Sequence, residues 1–402
     1  MQVDIGIVSY NTCDILEQCL IAVELSITEA KIKIPATFTI HIIDNASSDN
    51  SIDMVREKFP HIQCYSLEFN HGFARAHNII YSQCQGDFYI LLNPDAFIHR
   101  DSLYNTIQFM IKTPSAAATG ALLLNEDGSV APSARKFPTL WRKFYDMWGL
   151  NRVLSLYDYL IKIIGKKDKH KLEVIKERDV SPLSLSAKLS VARVVDWIPG
   201  TFTLVRRVAF RQNEIFDERF FMYYEETDMC RKLQQRGWQV WFVPSIKVTH
   251  IGGASAVAHT QELKKDIIKH NSGNSKERKF HSDSTSRNNK DSHYIDTSGV
   301  QLTLWRMQSE NLYIYKYSGF VGVLINVFIE SSRHASRILY HYSKSKIYSL
   351  LINSRYVDAA SIQNRVYLSQ SKQYDSQQKI LFLFQALRNT NCGRVSPAIP
   401  WK

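Results

Sequence analysis

Cysteine is scarce in this sequence, and its cysteines are never arranged in a close pair. Six cysteines are spread over 402 residues, without a C-x-x-C motif or the dense framework on which small secreted domains depend. The composition therefore excludes a scaffold built from disulfides. It is typical of a chain that works in a reducing cytoplasm.

Long apolar runs are also missing, as is the pattern of a secretion signal. Met1 leads straight into the alternating apolar positions of a strand, with no charged start, apolar stretch and cleavage site in succession. A membrane-spanning helix needs roughly 18 uninterrupted apolar residues. The longest candidate, Phe320 to Ile329, is interrupted by Gly322 and Asn326. We therefore expect a protein that is soluble or peripheral to a membrane.

No glycine-rich loop follows the first predicted strand, where Ser9-Tyr10-Asn11-Thr12 stands instead. A dinucleotide-dependent oxidoreductase would carry G-x-G-x-x-G at this place, so that class is excluded. Nucleotidyltransferases usually have a glycine-rich loop with Arg or Lys there. This second class of Mg²⁺-dependent α/β enzymes is disfavoured, but it stays an alternative.

Acidic residues are outnumbered by basic ones. There are 50 Lys and Arg against 38 Asp and Glu, which gives a formal net charge of +12 and a pI near 9.3. Such a balance favours anionic partners, among them phosphates, acidic lipid headgroups and nucleic acid. Charge alone does not choose among them, so a non-catalytic protein that binds a membrane or nucleic acid is a further alternative.

The first third of the chain alternates short apolar runs with segments of helical period, which is the pattern of a βαβ sheet. Helix caps are predicted at Asn11 or Thr12 and at Asp49. The fold class predicted from this pattern is α/β and doubly wound. Its strands are expected near Asp4–Ser9, Phe38–Ile43, Ile62–Ser66 and Phe88–Leu92.

Composition divides the chain into three parts. Residues 1–257 are predicted to form one domain, with a basic helical insertion at about 150–193 that either packs on the domain or lies on lipid. Residues 258–300 are predicted to be a flexible linker, because their Ser, Asn, Lys, Asp and His cannot bury enough apolar surface to order them. Apolar and aromatic residues return at helical spacing in 301–402. We predict a helical region there, either membrane-associated or packed on the domain.

Polar residues stand where the first two predicted strands end. Ser9, Tyr10 and Asn11 end the first strand, and Asp44 opens the polar run after the second. Ligands of open α/β sheets lie outside the carboxyl ends of the strands. Asp44 is therefore placed to accept a hydrogen bond from the imide N–H of a pyrimidine base. A turn or a helix cap is the structural alternative, and it applies most strongly to Asp49.

Two further turns suit phosphates and a metal ion. Gly72 follows Asn70-His71, where a glycine lets the backbone approach a ligand at the start of a helix. Asp95 comes just after a buried strand, in the proline-stiffened turn Asn93-Pro94-Asp95. Its carboxylate can hold a divalent metal that bridges two phosphates, because Mg²⁺ takes few protein carboxylates. Taken alone, such turns are more often structural.

The second half of the chain supplies candidates for acid–base chemistry. Glu225, Glu226 and Asp228 lie within four positions, and three carboxylates in one half-buried site cannot comfortably all be ionised. One of them is therefore a candidate general base, whereas Asp228 is expected to pair with a basic residue of the following helix. His250 follows an apolar strand and precedes two glycines. Its neutral imidazole is a candidate second metal ligand, although a lone histidine is usually structural.

In their order along the chain, these segments resemble the family 2 glycosyltransferases of GT-A fold, and especially the bacterial rhamnosyltransferase-like branch. The resemblance covers about residues 2 to 257. It rests on Val8-Ser9-Tyr10-Asn11, Asp44-Asn45-Ala46-Ser47-Ser48-Asp49, Asn70-His71-Gly72-Phe73 with Asn78, Leu92-Asn93-Pro94-Asp95, Arg135-Lys136-Phe137-Pro138, Asp196-Trp197-Ile198-Pro199-Gly200 and the segment from Glu225 to Asp228.

The resemblance implies a Rossmann-like mixed sheet with a helical C-terminal extension. The implied activity is inverting transfer of a sugar from a nucleotide-sugar to a hydroxyl acceptor, with Mg²⁺ or Mn²⁺. Asp95 becomes the metal-binding last residue of a DxD-like motif, with His250 near the metal. The general base falls within the Glu225-Glu226 pair, and we predict Glu226.

Other roles implied by the resemblance concern the two substrates. Trp197 and Gly200 are expected in the loop that binds the acceptor. Asp44 is expected to contact the nucleotide base. The other nucleotide-sugar contacts are expected from Ser9, Asn11, Gly72, Asn78 and Asn93.

Two positions depart from the family pattern. Asn93 stands at the first position of the DxD-like motif, so only Asp95 offers charge, and Glu226 stands where the usual pair has aspartate. The Gln-x-x-Arg-Trp motif of processive enzymes is missing, which favours the addition of a single sugar.

Kinship with this branch also favours dTDP-rhamnose as the donor and a glycan or polyprenyl-diphosphate-linked acceptor. The protein is then expected in the cytoplasm, peripheral at the inner face of the membrane, with no nucleic-acid partner. Slow hydrolysis of nucleotide-sugars with Mn²⁺ would separate an enzyme from a non-catalytic binder.

Overall fold

The computed structural model describes residues 1–147, 191–210, 214–252, 297–351 and 359–396. The chain forms two compact units. The first comprises Met1–Arg135 and Ala192–Trp305, and the second comprises Lys136–Val191 and Arg306–Pro400. The predicted basic insertion at 150–193 and the predicted linker at 258–300 fall almost entirely outside the described residues.

The first unit is built on one mixed sheet of nine strands. The strand order is β3-β2-β1-β4-β8-β6-β9-β5, and β7 pairs with β9 beside this path. The strands are β1 (Gln2–Ser9), β2 (Thr37–Asp44), β3 (Gln63–Ser66), β4 (Phe88–Leu92), β5 (Ala96–Ile98), β6 (Ala116–Leu124), β7 (Arg193–Val194), β8 (Phe202–Arg206) and β9 (Gln239–His250).

Strand direction changes once the sheet passes β4. Strands β1 to β4 pair in parallel, in agreement with the predicted doubly wound half. Strand β8 then lies antiparallel between β4 and β6, and β6 runs parallel to β9. The short β5 pairs antiparallel with the end of β9, with Ala96 opposite His250. The observed architecture is therefore an α/β fold with a mixed sheet.

Six helices lie among the described residues between 13 and 235. Helix α1 buries Leu16, Cys19, Leu20 and Val23 at helical spacing, which is the apolar stripe that lets a helix cover a sheet. The helices are α1 (Cys13–Lys33), α2 (Ser51–Lys58), α3 (Gly72–Gln83), α4 (Ser102–Lys112), α5 (Leu140–Met147) and α6 (Glu225–Gln235), with a 3₁₀ turn at Arg207–Ala209. Of these, α5 belongs to the second unit.

The burial pattern explains why the first strands could be predicted from the sequence. All five residues of β4 are buried, as expected for a strand covered on both faces. Asp4 is the buried charged residue of β1, and its Oδ2 accepts hydrogen bonds from the N–H groups of Gln85 (3.1 Å) and Gly86 (2.7 Å). This carboxylate therefore fixes the turn that leads from α3 into β4.

The predicted cap Asp49 has a structural role at two helix starts. Its Oδ1 accepts a hydrogen bond from the N–H of Ser51 (3.0 Å), the first residue of α2. Its Oδ2 accepts one from the N–H of Cys13 (3.0 Å), the first residue of α1. Carboxylates stabilise helix N-termini, where backbone N–H groups are unpaired.

Among its described residues, the second unit contains helices and a partly buried ion-pair network. Besides α5 it includes residues of α7 (Thr297–Leu351) from Arg306 onward and α8 (Ala359–Asn389). Lys143 of α5 contacts Glu310 Oε1 (2.5 Å), Asn326 Oδ1 (2.6 Å) and Glu330 Oε1 (3.2 Å) of α7. Helix α7 is interrupted at Gly319, whose φ of +67° lies in the left-handed region.

Arg306 is the first residue of α7 in the second unit, so α7 belongs to the first unit up to Trp305. Among the described helices, the span Gln301–Leu350 is long and apolar enough to cross a membrane by length and composition, with a mean hydropathy of 1.5 in its apolar window. In the structure, 44% of that window is buried.

Candidate active site

One cavity of the first unit is surrounded by carboxyl ends of strands, two loops and the starts of two helices. Its volume is about 350 Å³. Seven of the residues singled out in the sequence line it, and they come from five separate stretches of chain. These residues are Gly72, Asn93, Asp95, Gly200, Glu225, Glu226 and His250.

Asp95 and His250 meet because β5 pairs with β9. The N–H of Ile251 donates to the carbonyl of Asp95 (3.1 Å), which extends this pairing by one residue. Asp95 Oδ1 then lies 3.2 Å from His250 Nε2. An oxygen and a nitrogen ligand thus face the same part of the cavity.

Asn93 lies beside this pair at the end of β4. Its backbone N–H donates to the carbonyl of Thr201 (3.0 Å), which ties the turn to β8. Its side-chain Oδ1 is buried and has no hydrogen-bond partner among the described residues. A buried acceptor left unpaired costs free energy, and it is satisfied when a ligand, water or ion supplies a partner.

Gly72 is required by a close approach to protein backbone. Its φ is +76°, and a Cβ at this position would lie 2.2 Å from the carbonyl oxygen of Phe221. The next residue, Phe73, donates its N–H to the same oxygen (2.8 Å). The sequence predicted an approach to a ligand. Gly72 does line the cavity, but the contact that excludes a side chain is the one with Phe221.

Glu225 and Glu226 are the first two residues of α6. The two tyrosines before them, Tyr223 and Tyr224, both have positive φ (69° and 70°), which is strained for residues with bulky side chains. This tight bend turns the chain into α6 directly at the cavity. Carboxylates in the first turn of a helix are also stabilised by the helix dipole.

The two carboxyl groups of this pair differ in their surroundings. Burial, followed by the charge of Glu226, raises the pKa of Glu225 well above its ordinary value. Burial also raises the pKa of Glu226, but the positive charge of Arg135 and the N–H of Gly200 oppose that effect. The charge of Glu226 thus adds to the rise in the pKa of Glu225, whereas the hydrogen bond between the two carboxyl groups opposes the rise in the pKa of Glu226.

Asp228 has the structural role that the sequence predicted for it. Its side chain is fully buried, and Oδ2 lies 2.9 Å from Lys232 Nζ one turn later. It is absent from the cavity lining. Two of the three clustered carboxylates thus remain available for chemistry.

Five predicted contact residues lie outside the cavity lining, and each has a partner within the protein. Ser9 Oγ is 2.8 Å from Thr12 Oγ1, and Asn11 Oδ1 accepts from the N–H of Ser48 (2.7 Å). The ring of Trp197 lies 5.0 Å from the guanidinium of Arg135. The full set outside the lining is Ser9, Asn11, Asp44, Asn78 and Trp197.

Asn78 is fully engaged by the protein. Its Oδ1 accepts from the N–H groups of Ile215 and Phe216 (both 3.0 Å), and its Nδ2 donates to Phe216 O (3.0 Å) and Glu218 Oε1 (3.2 Å). These bonds hold the segment that leads to Phe221. The structure thus places Asn78 as a positioning residue, where the sequence expected a nucleotide-sugar contact.

Asp44 keeps one free carboxylate oxygen. Its Oδ2 accepts from the N–H of Ser47 (3.1 Å), whereas Oδ1 is buried and has no partner in the described part of the chain. Burial raises the pKa of this carboxyl, against the opposing hydrogen bonds of Ser47. Asn45, the next residue, lines the cavity. Asp44 thus lies one residue from the cavity with an acceptor to spare.

Sequence reasoning missed several residues of the cavity wall. Asn45 donates to Asn70 Oδ1 (2.8 Å) and to Gly72 O (3.2 Å), so both asparagines shape the loop that carries Gly72. Both asparagines stand in the motifs on which the family resemblance rests, and this was the sequence signal that could have identified them. Gln301, Leu302 and Trp305 of α7 also line the cavity. Local sequence pattern does not predict that contact, because the predicted linker separates these residues from the rest of the cavity lining along the chain.

A larger cavity of about 490 Å³ shares no lining residue with the first. Three of its charged residues are engaged with one another, since Asp217 pairs with Arg219 (2.7 Å) and approaches Lys232 (3.8 Å). Size therefore does not identify the site here. The smaller cavity is the candidate because the unpaired acceptor, the Asp95–His250 pair and the carboxyl pair converge on it.

Comparison with known proteins gives a consistent result. Residues 4–158 match the model of glycosyl transferase family 2. An N-acetylglucosaminyl-diphospho-decaprenol L-rhamnosyltransferase of Mycobacterium tuberculosis is 29% identical over 254 residues, covering 60% of this chain and 74% of the relative. Rhamnosyltransferase WbbL of Escherichia coli is 29% identical over 188 residues, covering 45% of this chain and 61% of that protein. These matches confirm the resemblance that the motifs indicated.

Solved structures give weaker likenesses. The mannosyltransferase PcManGT from Pyrobaculum calidifontis, in complex with GDP-Man and Mn²⁺, is 13% identical with a TM-score of 0.41, covering 97% of this chain and 86% of that one. TarS of S. aureus is 12% identical with a TM-score of 0.39, covering 96% and 92%. At these scores neither likeness carries an argument about this chain. The predicted fold class is confirmed by the family match together with the mixed sheet.

The bonding of Asn78 predicts a loss of stability when its side chain is removed. Asn78→Ala leaves two buried backbone N–H groups without acceptors, and each such group costs about 1 to 3 kcal/mol. We expect the ligand-free protein to unfold at a clearly lower urea concentration. The matched control is Ser82→Ala on the same helix, at an exposed position, with an effect within about 0.5 kcal/mol. An unchanged midpoint for Asn78→Ala would restore the assignment to ligand binding.

Proposed function

We propose that this chain, a glycosyltransferase of the family 2 type, is an inverting enzyme that moves one sugar from a nucleotide-sugar to a hydroxyl of a lipid-linked glycan. The favoured donor is dTDP-rhamnose, since both curated relatives are named as rhamnosyltransferases. The mycobacterial relative is named for an acceptor sugar on a decaprenol diphosphate. We extend that acceptor class, a sugar on a polyprenyl diphosphate, to this chain.

The reaction would then belong to cell-surface polysaccharide synthesis. It would take place at the cytoplasmic face of the membrane, where a polyprenyl-linked acceptor is anchored. The observation that carries the proposal is the convergence of Asp95, His250 and the Glu225-Glu226 pair on one cavity.

Asp95 and His250 would hold a divalent metal, Mg²⁺ or Mn²⁺. Neighbouring ligands of an octahedral ion with bonds of about 2.1 Å are about 3.0 Å apart. The observed separation of 3.2 Å between Asp95 Oδ1 and His250 Nε2 fits that geometry. The unpaired Oδ1 of Asn93 adds a polar group beside them. Such a metal supplies charge that stabilises the leaving nucleoside diphosphate.

Glu226 would act as the general base. In one displacement the acceptor oxygen forms its bond to the anomeric carbon, the bond from that carbon to the diphosphate oxygen breaks, and Glu226 takes the proton of the acceptor hydroxyl. The support for this choice is that the charge of Arg135, the N–H of Gly200 and the hydrogen bond with Glu225 all lower the pKa of Glu226, whereas the charge of Glu226 raises the pKa of Glu225. A base with a raised pKa is better matched to a working pH near neutrality.

Other residues would bind the nucleotide and the acceptor. The free Oδ1 of Asp44 would accept the imide N–H of the base, and burial of this oxygen favours a ligand that satisfies it. Gly200, whose N–H bonds to Glu226, would place the acceptor loop at the base. Asn45 and Asn70 would support the loop around Gly72.

The alternatives from sequence are less well supported by this site. A non-catalytic binder of membrane or nucleic acid gives no reason to bury two carboxyl groups in a cavity, since burying charge without a ligand is costly. A nucleotidyltransferase would need basic residues around a triphosphate, and the described residues that line the cavity include no Lys or Arg.

The metal assignment predicts a ligand effect as well as an activity effect. A panel of nucleotide-sugars with Mn²⁺ should raise the melting temperature of the wild type, most strongly with dTDP-rhamnose, because a ligand of the native state stabilises it. Asp95→Asn should lose both that shift and turnover. His250→Ala should be milder, because water can replace one ligand of an octahedral ion.

His99→Ala is the matched control, because His99 bonds to Thr249 (3.2 Å) and does not line the cavity. Turnover that survives both EDTA and Asp95→Asn would contradict the metal site. A larger shift with another nucleotide-sugar would instead reassign the donor.

The choice of base predicts a difference between two matched variants. Glu226→Gln should slow single-turnover transfer by about 10² to 10⁴, because no carboxylate then takes the proton. Donor affinity should stay close to the wild-type value, since the nucleotide contacts are elsewhere. Glu225→Gln should keep far more activity, because an amide can still donate a hydrogen bond to Glu226. The reverse pattern would exchange the two roles, and full activity in both variants would move the base elsewhere.

The position of Arg135 near Glu226 leads to a prediction about the pH dependence of the reaction. Its positive charge lowers the pKa of Glu226, so Arg135→Gln should raise that pKa. The base is active when ionised, and the acidic limb of the kcat profile should therefore move to higher pH. Rates should be lost below the shifted limb and recovered above it. Arg56→Gln, an exposed arginine on α2, is the control, and an unmoved limb in Arg135→Gln would exclude this electrostatic coupling.

A further inference from the structure

Helix α7 carries an exposed apolar stripe beyond Gly319. The stripe consists of Val321, Ile325, Phe328, Leu339, Tyr342 and Leu350, which recur at spacings that share one face of a helix. Val321, Phe328, Leu339 and Leu350 are 66%, 71%, 67% and 77% exposed. Large apolar side chains exposed in a row mark an interaction surface more often than isolated ones do.

The interior of the second unit does not need this stripe. Other positions of the same helix segment already face inward, including Val323, Val327 and Ile329, which are buried. Asn326 and Glu330 are engaged by Lys143 of α5. The α7 stripe is therefore apolar surface in addition to the packed face of the helix.

The charge of the segment identifies the kind of partner. Between residues 306 and 400 there are twelve Lys and Arg and four Asp and Glu, a net charge of twelve minus four, or +8. Arg333, Lys344 and Lys346 lie on α7 among the residues of the stripe. An apolar helix face with basic residues around it is the pattern of a helix that lies in the interface of an anionic bilayer.

We propose that the α7 stripe docks on the surface of an anionic lipid bilayer. The occupant is not a second copy of the chain, because two copies would bring two segments of net charge +8 together. Anionic headgroups instead attract basic residues near the surface. This inference rests on the proposed function in one respect, since a lipid-linked acceptor gives the enzyme a reason to bind there.

The helix lies on the bilayer and does not cross it. Gly319 interrupts α7, and the face opposite the stripe carries buried polar groups that belong to the second unit, such as Asn326 and His334. Arg333 and Arg337 fall in the middle of the distal segment, where a spanning helix would place them in hydrocarbon. Docking keeps these groups in protein or in the headgroup region.

The test uses the full chain and vesicles of phosphatidylcholine with or without phosphatidylglycerol, with no donor, acceptor or metal. The wild type should sediment with the anionic vesicles and be released by salt, because exposed charges are screened. Phe328→Glu/Leu339→Glu should lower the partition coefficient about tenfold or more, because two apolar side chains no longer enter lipid. The matched control is Ile32→Glu/Val208→Glu, which makes the same charge change at residues 77% and 76% exposed in the first unit.

Each outcome bears on the proposal. Equal loss in both double variants would reduce the effect to charge and overturn the stripe. A dimer that becomes monomeric in Phe328→Glu/Leu339→Glu, with vesicle binding unchanged, would make the face an interface between copies. Resistance to alkaline carbonate extraction would indicate a spanning helix. Sugar transfer to a short, water-soluble acceptor should persist in the stripe variant, and its absence in the wild type would contradict the proposed function while leaving vesicle binding to decide the docking.

Discussion

The hydrogen bond from the N–H of Phe73 to the carbonyl of Phe221 joins the two halves of the cavity. On one side lies the loop around Gly72, which Asn45 and Asn70 support from the ends of β2 and β3. On the other side the chain passes through two strained tyrosines into Glu225. A side chain at residue 72 would collide with the Phe221 carbonyl, so this contact requires glycine. The position of the carboxyl pair depends on this backbone contact, because few residues separate Phe221 from Glu225.

Electrostatics sets the remaining demands on the site. Asp95, Glu225 and Glu226 bring three acidic groups to one cavity, and no Lys or Arg is found among the described residues that line it. Each group has a different environment. Burial and the charge of Glu226 raise the pKa of Glu225, Glu226 has the N–H of Gly200 and the charge of Arg135, and Asp95 faces His250. A site with surplus acidic groups is suited to a divalent cation that arrives together with a diphosphate.

The second unit is distinguished by where its charged and apolar side chains lie. Partly buried charges meet around Lys143, whereas several apolar side chains of α7 beyond Gly319 face solvent. Large apolar side chains exposed along one helix face are unusual in a soluble domain. Their exposure has a physical explanation if that face meets lipid, because a bilayer surface solvates apolar side chains and pairs with basic ones.

The sequence by itself determined the features that depend on local pattern. Local pattern was enough to predict strands β1 to β4 and the starts of α1 to α3, because the burial period and helix capping act over a few residues. It was also enough to predict that Asp49 supports a helix start and that Asp228 pairs with a basic residue of its own helix. The motif order also indicated the family. Tertiary structure alone decided which distant groups meet. The β5–β9 pairing brings His250 to Asp95, the bonds of Asn78 assign it to positioning, and the first turns of α7 line the cavity. Sequence pattern reports whether a side chain is buried, but contact between remote residues follows from the strand order and packing of the whole chain.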